Sequence, residues 1–172
     1  MTVAGHYLGM ELRIDAFDQE NLAYFRHCAA GGFHLQRCTG CNLLRYPPTT
    51  ACPWCSQPDA IWTPVDGRGT VHSYAEVHHA IQPAFNGHLP YLILIVELDT
   101  QRGRPAPDDA LRIAGNLATP AGDLAPPDLV ARVGIGSGVR MVFKEVAPDL
   151  AIPLWTLDDA ASAPRPTWRY PE

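Results

Sequence analysis

Four cysteines, spaced as two Cys-x-x-Cys pairs, are the residues of this chain best suited to chemistry. Cys38 and Cys41 form the first pair, and Cys52 and Cys55 form the second pair, with ten residues between the two pairs. A Cys-x-x-Cys turn directs both sulfurs to one point, so two such turns supply four thiolates for a closed tetrahedral metal site. Soft thiolate ligands favour zinc, with iron in a rubredoxin-like setting as the alternative.

A disulfide framework is the competing interpretation of these cysteines. The chain has five cysteines, an odd number, and its N-terminus lacks the basic and then apolar pattern of a secretory signal. We therefore predict a metal site, and closed coordination makes it structural because no position is left for substrate or water. The fifth cysteine, Cys28, is predicted to be a small buried apolar residue.

Composition and charge are those of an ordinary globular protein. Hydrophobic residues make up 47% and charged residues 18% of the 172 residues, and the formal net charge is −5. The thirteen Lys and Arg residues are scattered singly, which argues against a surface that follows a nucleic-acid backbone. The longest apolar run, around residues 91–96, is too short to span a bilayer, so we expect no membrane segment and a cytoplasmic location.

A helix is predicted before the first cysteine pair. Asp15 or Asp18 can cap it and Gly31 can end it, which gives an N-terminal helical unit over residues 15–32. Its apolar stripe can pack on its own domain or serve as a docking surface for a partner. Residues 1–14 are predicted to be an apolar, mobile lead-in.

The remainder of the chain is predicted to be β-structure. Residues 33–62 form a ribbon that is too small to fold without its metal. Over residues 63–157 the order of three strands, a short helix and two strands predicts a five-stranded OB-fold barrel, with the helix between strands three and four. Tyr91–Leu98 is apolar enough to be buried on both faces, and residues 158–172 are predicted to be a flexible tail. The fold class is therefore mainly β: an N-terminal helix, a rubredoxin-like zinc ribbon and an OB-fold barrel.

These features resemble a bacterial and archaeal family that pairs a rubredoxin-like zinc ribbon with an OB-fold. The segments that carry the resemblance are Phe-x-Leu-Gln-x-Cys-x-x-Cys from residue 33, Tyr46-Pro47-Pro48, Cys-Pro-x-Cys from residue 52, Gly69-Thr70-Val71, Pro90-Tyr91, Val96-Glu97-Leu98-Asp99, Gly115-Asn116-Leu117 and Gly136-x-Gly-Val139-x-Met141-x-Phe143. With the helix, the resemblance covers residues 17–157, and the four ribbon cysteines match one by one.

The resemblance implies a function as well as a fold. Members of this family are similar in working beside acyl-CoA enzymes, notably thiolases and thiolase-like aldolases, and some are fused to hotdog-fold hydratases. A non-catalytic accessory subunit is therefore implied, not an enzyme itself, that binds a thiolase-like or hydratase partner and helps to position acyl-CoA. Self-association into homo-oligomers stays open. No CoA-binding motif carries over from the family residue by residue.

Three arginines are the candidates for binding the phosphates of acyl-CoA. Arg112 and Arg140 occupy alternating positions of predicted barrel strands, and Arg45 lies beside Tyr46 in the ribbon. The planar guanidinium group suits phosphate geometry. The alternative is that these arginines are exposed residues that keep the surface soluble.

Two other classes of protein stay open. A ribbon joined to an OB-fold also occurs in single-stranded nucleic-acid binders, but the acidic net charge and the missing basic, aromatic face count against that class. Four thiolates would also suit a rubredoxin-like electron carrier. Two features that could suggest catalysis or nucleotide binding do not support it. The adjacent His78 and His79 point to opposite sides of a strand, so they cannot both serve one site. The glycine-rich segment Gly134–Gly138 leads into a strand, whereas a dinucleotide-binding turn opens a helix.

Overall fold

The chain is mainly β, as predicted, with one long helix near its N-terminus. The computed structural model describes residues 2–159 and 167–171. The strands in these ranges are β1 (Val3–Tyr7), β2 (Met10–Ile14), β3 (His34–Cys38), β4 (Leu44–Arg45), β5 (Ala60–Pro64), β6 (Arg68–Val77), β7 (Tyr91–Leu98), β8 (Arg112–Asn116), β9 (Gly138–Ala147) and β10 (Leu150–Leu157). The helices are α1 (Gln19–Ala29), the single turn α2 (Pro127–Val130) and a 3-10 helix over Pro83–His88. Among the described residues, no helix is long and apolar enough to cross a membrane.

Five strands form the barrel, in the order β10-β9-β6-β7-β8, and all neighbouring pairs are antiparallel. An isolated parallel bridge between Leu117 and Trp155 joins the end of β8 to β10 and so closes the barrel. The short helix α2 lies between β8 and β9 in the chain. This order of strands and helix confirms the predicted OB-fold architecture.

The most apolar strand, β7, is buried on one face only. Leu92, Leu94 and Val96 are fully buried, whereas Ile93 is 38% exposed and Ile95 is half-buried. The prediction that this strand is buried on both faces was therefore wrong. Alternate side chains of β7 point to the outer side of an antiparallel sheet, which can face water.

Three short strands, in the order β4-β3-β5, form the ribbon sheet, and a barrel side chain fixes its edge. Gln101 lies in the loop between β7 and β8. The Leu44 N–H donates to Gln101 Oε1 at 2.6 Å, and Gln101 Nε2 donates to the Leu44 carbonyl at 3.1 Å. These are the hydrogen bonds that a neighbouring strand would make, so the amide of Gln101 extends the ribbon sheet by one position.

Helix α1 packs on its own domain, between the ribbon and the barrel. Asp18 caps the helix by accepting a hydrogen bond from the N–H of Asn21 at 3.2 Å. Leu22, Tyr24 and Cys28 are buried, and the helix contacts β3, β9 and β10. The first of the two sequence-based interpretations of the apolar stripe therefore holds. Cys28 is a buried core residue as expected, and its burial raises the pKa of its thiol to about 12.

Residues 3–14 form a β-hairpin, in contrast to the mobile lead-in that was predicted. Strands β1 and β2 pair along their whole length. Leu8 and Gly9 make the turn with φ angles of 51° and 78°, the two positive values that a tight hairpin requires. The hairpin was missed because Leu-Gly is not among the usual Asn-Gly or Asp-Gly turn sequences.

Part of the predicted flexible tail is held against the barrel. Trp168 exchanges two backbone hydrogen bonds with Ile135, of 2.8 and 2.9 Å. The guanidinium of Arg169 donates to two carbonyl groups at and just beyond the end of α2. The prediction of a flexible tail therefore does not hold for residues 167–171, because Arg169 ties this segment to the carbonyls of Val130 and Val133. Residues 160–166 and 172 of the predicted tail lie outside the described residues.

Candidate metal centre and surrounding surfaces

The four predicted ligands converge on one point of the ribbon. Cys38 and Cys41, the first knuckle, lie at the end of β3 and in the turn that follows. Cys52 and Cys55, the second knuckle, lie in the loop between β4 and β5. All four Sγ atoms lie within 4.8 Å of one another. Across the two knuckles, Cys38 Sγ is 3.5 Å from Cys55 Sγ, and Cys41 Sγ is 3.6 Å from Cys52 Sγ.

The two knuckles have equivalent backbone conformations. The N–H of Asn42 donates to the Cys38 carbonyl at 3.1 Å, and the N–H of Ser56 donates to the Cys52 carbonyl at 2.8 Å. Each of these donors follows the second cysteine of its knuckle and has a positive φ, 61° for Asn42 and 63° for Ser56. In the first knuckle the N–H of Gly40 also donates to Cys38 Sγ at 3.3 Å. The spacing of the cysteines therefore predicted their convergence correctly.

The electrostatics of the four thiols suit a bound cation. Backbone N–H groups of Cys41 and Gly40 lower the pKa of the Cys38 thiol to about 6. The N–H of Leu43 lowers the pKa of Cys41, but desolvation and the three other cysteines outweigh it and raise that pKa to about 12. Cys38 and Cys41 therefore do not ionise together freely unless a cation offsets their charge. Zinc–sulfur bonds of about 2.3 Å in a tetrahedron place the sulfurs about 3.8 Å apart, so both the donor set and the spacing fit such an ion.

Arg45 is buried inside the ribbon, where it holds the loop that follows the second knuckle. Only 2% of the residue is exposed. Its Nε donates to Gln36 Oε1 at 3.0 Å, and its two Nη atoms donate to the carbonyls of Gln57 and Pro58 at 3.3 and 3.1 Å. The phosphate contact expected of Arg45 would require these bonds to break, so the structure gives this arginine a structural role instead.

Arg112 and Arg140 lie on the barrel, but the structure does not bring the three predicted arginines to one site. Arg112 is on β8, and its Nη2 lies 3.3 Å from Glu97 Oε2. Arg140 is on β9, directly opposite Arg68 of β6. Strands β6 and β7 lie between β8 and β9 in the sheet, and Arg45 belongs to the ribbon. The roles of Arg112 and Arg140 in binding CoA stay predictions.

Two arginines that the sequence analysis missed lie at the same end of the barrel sheet. Arg102 Nη2 donates to Thr70 Oγ1 at 3.4 Å, and Arg102 Nε lies 3.3 Å from Glu97 Oε1. Arg68, two positions before Thr70 on β6, lies 3.5 Å from the buried carboxylate of Asp158. The period-two pattern of β6 could have shown that Arg68 shares a face with Thr70, but Arg102 lies in a loop. The arginine surface is defined here as Arg68, Arg102, Arg112 and Arg140.

A stack of aromatic rings joins α1 to the ribbon. The His27 ring lies 4.2 Å from the His34 ring at an interplanar angle of 20°, and 5.1 Å from the Trp62 ring. Burial and the neighbouring His34 lower the pKa of His27. Within the described part of the chain, the buried Nδ1 of His34 has no hydrogen-bond partner. The contact between α1 and the ribbon is therefore best packed when His27 is neutral.

A helix, a four-cysteine ribbon and a closed OB-fold barrel define the class of this chain. Its residues 62–144 match the family model of the ChsH2 C-terminal OB-fold domain. Over its barrel, the chain is therefore similar to the ChsH2-type OB-fold family. This match confirms the resemblance that the sequence motifs indicated.

Two known proteins illustrate the relationship. The solved structure of the Ltp2-ChsH2(DUF35) aldolase contains a chain with a TM-score of 0.63 and 29% sequence identity, and the match covers 84% of this chain and 98% of that chain. The probable enoyl-CoA hydratase alpha subunit of Thermomonospora curvata is 31% identical over 142 residues, which is 81% of this chain and 38% of that protein. The chain thus spans less than two fifths of the curated relative's length.

Proposed function

We propose that this chain is a non-catalytic accessory subunit that binds an acyl-CoA enzyme. The observation that carries the proposal is the similarity to a chain of the Ltp2-ChsH2(DUF35) aldolase, which extends over 98% of that chain. The curated relative is likewise named as a subunit, of an enoyl-CoA hydratase. Both names describe assemblies. A thiolase-like enzyme, implied by the family resemblance, is the partner we propose, and a hydratase is the alternative.

An apolar part of the barrel surface supports docking to such an enzyme. On the outer side of β6 and β7, Ala75 lies opposite Ile93 and Val77 lies opposite Tyr91. Ile93 is 38% exposed although it lies in the middle of a strand. Contiguous apolar residues on a solvent-facing sheet mark an interaction site more often than an ordinary surface. The apolar sheet face is defined here as Ala75, Val77, Tyr91, Ile93 and Ile95.

We assign a structural zinc ion to Cys38, Cys41, Cys52 and Cys55 as part of this proposal. The support is the cluster of four Sγ atoms within 4.8 Å, in a ribbon of three short strands. When bound, the ion supplies folding free energy and leaves no coordination position for a substrate. Cys38→Ser should yield a protein with less than one zinc per chain and a ribbon sensitive to protease. A red preparation that contains iron would instead support an electron carrier.

Contact with acyl-CoA is assigned to the arginine surface. Arg112 remains 43% exposed beside Glu97, and Arg140 is half-buried opposite Arg68. Guanidinium groups on neighbouring strands can bind a phosphate from several sides. In calorimetric titrations with CoA, Arg140→Gln should weaken binding about tenfold. Arg13→Gln, which removes an exposed arginine of the N-terminal hairpin, should leave the affinity unchanged.

Affinity purification from the native cell tests the proposal as a whole. The tagged chain should recover an acyl-CoA enzyme identified by mass spectrometry. Ile93→Asp should abolish that recovery, whereas Ile61→Asp should not, although Ile61 of the ribbon is 63% exposed. Recovery of no acyl-CoA enzyme, together with no stabilisation against heat by acyl-CoA, would overturn the proposal. Binding to single-stranded nucleic acid with a steep dependence on salt would indicate the other class.

A further inference from the structure

Cys55 differs from the other three cysteines of the cluster in its exposure. Cys38 and Cys52 are buried and Cys41 is half-buried, but Cys55 is exposed. Its neighbours in the second knuckle are exposed as well, including Trp54 at 49%. A dissolved reagent therefore reaches Cys55 Sγ more easily than any other sulfur of the cluster.

The sulfurs also differ in the hydrogen bonds that they accept. Cys38 Sγ accepts from the N–H of Gly40 at 3.3 Å. Within the described residues, the contacts found for the sulfurs of Cys52 and Cys55 are with other cysteine sulfurs, and of these two residues only Cys55 is exposed. Because N–H donors draw electron density from a thiolate, a sulfur without them keeps more of its nucleophilicity.

A partner for an oxidised Cys55 lies in the other knuckle. Cys38 Sγ is 3.5 Å from Cys55 Sγ, and a disulfide bond of about 2.05 Å requires the sulfurs to approach by only about 1.5 Å. Cys28 is buried in the core between α1 and the ribbon and has a raised thiol pKa of about 12, so it should not compete.

We propose that Cys55 is the site at which hydroperoxides oxidise this protein and that the product is a disulfide between Cys38 and Cys55. The Cys55 thiolate attacks a peroxide oxygen, the O–O bond breaks, and the leaving hydroxide takes a proton to become water. The Cys38 thiolate then attacks the Cys55 sulfenic acid at sulfur, and the second hydroxide leaves as water. The two sulfurs lose two electrons, and one hydrogen peroxide is reduced to two waters.

The consequence is release of the metal and loosening of the ribbon. Oxidation removes two of the four donors and leaves Cys41 and Cys52, which do not form a closed site. Since metal binding supplies the folding free energy of so small a ribbon, its sheet should open. The inference rests on the zinc site proposed above. It predicts that oxidants open this site.

The experiment treats zinc-loaded protein with hydrogen peroxide and follows zinc release with a chromogenic chelator. Disulfides are mapped by peptide mass spectrometry after the free thiols are blocked. The expected product is the Cys38–Cys55 disulfide, formed in step with zinc release, while Cys28 in the same sample stays a free thiol. A first disulfide within one knuckle, or none despite zinc release, would overturn the proposal.

Two matched variants keep a fourth ligand while removing one thiol. Cys55→His should release zinc about tenfold more slowly on peroxide treatment, whereas Cys52→His should behave like the wild type. If either variant fails to hold zinc, brief alkylation of the wild-type protein decides the matter, because Cys55 should react first. Equal reaction of all four cysteines would contradict the inference. Absence of zinc from the purified protein would count against the metal proposal alone, since the order of alkylation can still be read.

Discussion

Replacement of Arg45 by methionine tests whether this arginine holds the ribbon or binds a ligand. Methionine keeps the apolar stem but removes three hydrogen bonds, to Gln36 Oε1 and to the carbonyls of Gln57 and Pro58. A hydrogen bond that involves a charged group contributes about 1.5–3 kcal/mol. Water can replace the guanidinium at Pro58, which is exposed, but less easily at Gln36, which is buried.

We therefore expect Arg45→Met to lower the free energy of unfolding by about 3 kcal/mol. The assay is urea denaturation of the zinc-loaded protein, with wild type and variant at equal zinc concentration. Arg37→Met is the matched control, because Arg37 is also in the ribbon but makes one exposed hydrogen bond, to the Asn42 carbonyl at 3.2 Å. It should cost less than about 1 kcal/mol.

The same variant separates the two roles assigned to Arg45. If Arg45 bound a CoA phosphate through an alternative conformation, Arg45→Met would weaken CoA binding and leave stability near that of the control. Equal unfolding free energies for Arg45→Met and Arg37→Met would refute the structural role. A large loss of stability with CoA affinity retained by the folded fraction would support it.

Two further predictions concern the contact of α1 with the ribbon and the contact of residues 167–171 with the barrel. Because the pKa of His27 is lowered in the fold, its contribution to stability is present above the unfolded value of about 6.5 and is lost as pH falls below it. Denaturation midpoints measured across this range should fall on acidification, and His27→Gln should flatten that dependence; an unchanged slope would contradict the assignment. Arg169→Met should release residues 167–171 from the barrel, because it removes bonds to α2 and to Glu76. Limited proteolysis should then cleave this segment sooner than in wild type, whereas an Arg104→Met control should show no change.

Local patterns made the four-cysteine cluster and the barrel order predictable. The two Cys-x-x-Cys spacings require only that each knuckle turn in the usual way, which Asn42 and Ser56 allow by adopting positive φ. The barrel strands were visible because β6, β8 and β9 alternate, β7 is a continuous apolar run, and turn residues bound them. These signals depend on residues within a few positions of one another.

The features that could not be predicted from the sequence depend on contacts between distant segments. Arg45 looked like a surface arginine because its acceptors come from a loop that returns to it only in the folded ribbon. Arg169 lies in a Pro-rich terminal segment, and nothing local indicates that α2 needs its guanidinium. Ile93 and Ile95 matched a doubly buried strand, since period-two alternation cannot be seen where both faces are apolar.

One loop of the barrel connects the four-cysteine ribbon to the arginine surface. Gln101, with φ of 68°, bonds through its side chain to Leu44 of the ribbon, while its neighbour Arg102 bonds to Thr70 and pairs with Glu97. The folded ribbon therefore holds Gln101, and Gln101 fixes the backbone from which Arg102 reaches the surface. Loss of the metal should release the same loop.

This connection predicts that Gln101→Ala and removal of zinc by a chelator act on CoA binding through one step. Each change alone should weaken binding by a similar factor, and the two together should do little more than either one, because perturbations that break the same link are not additive. Calorimetric titration of the four states with CoA measures the coupling. Asn116→Ala is the control, since its side chain bonds within the barrel to the Leu92 carbonyl. Full additivity would show that the ribbon and the arginine surface act independently.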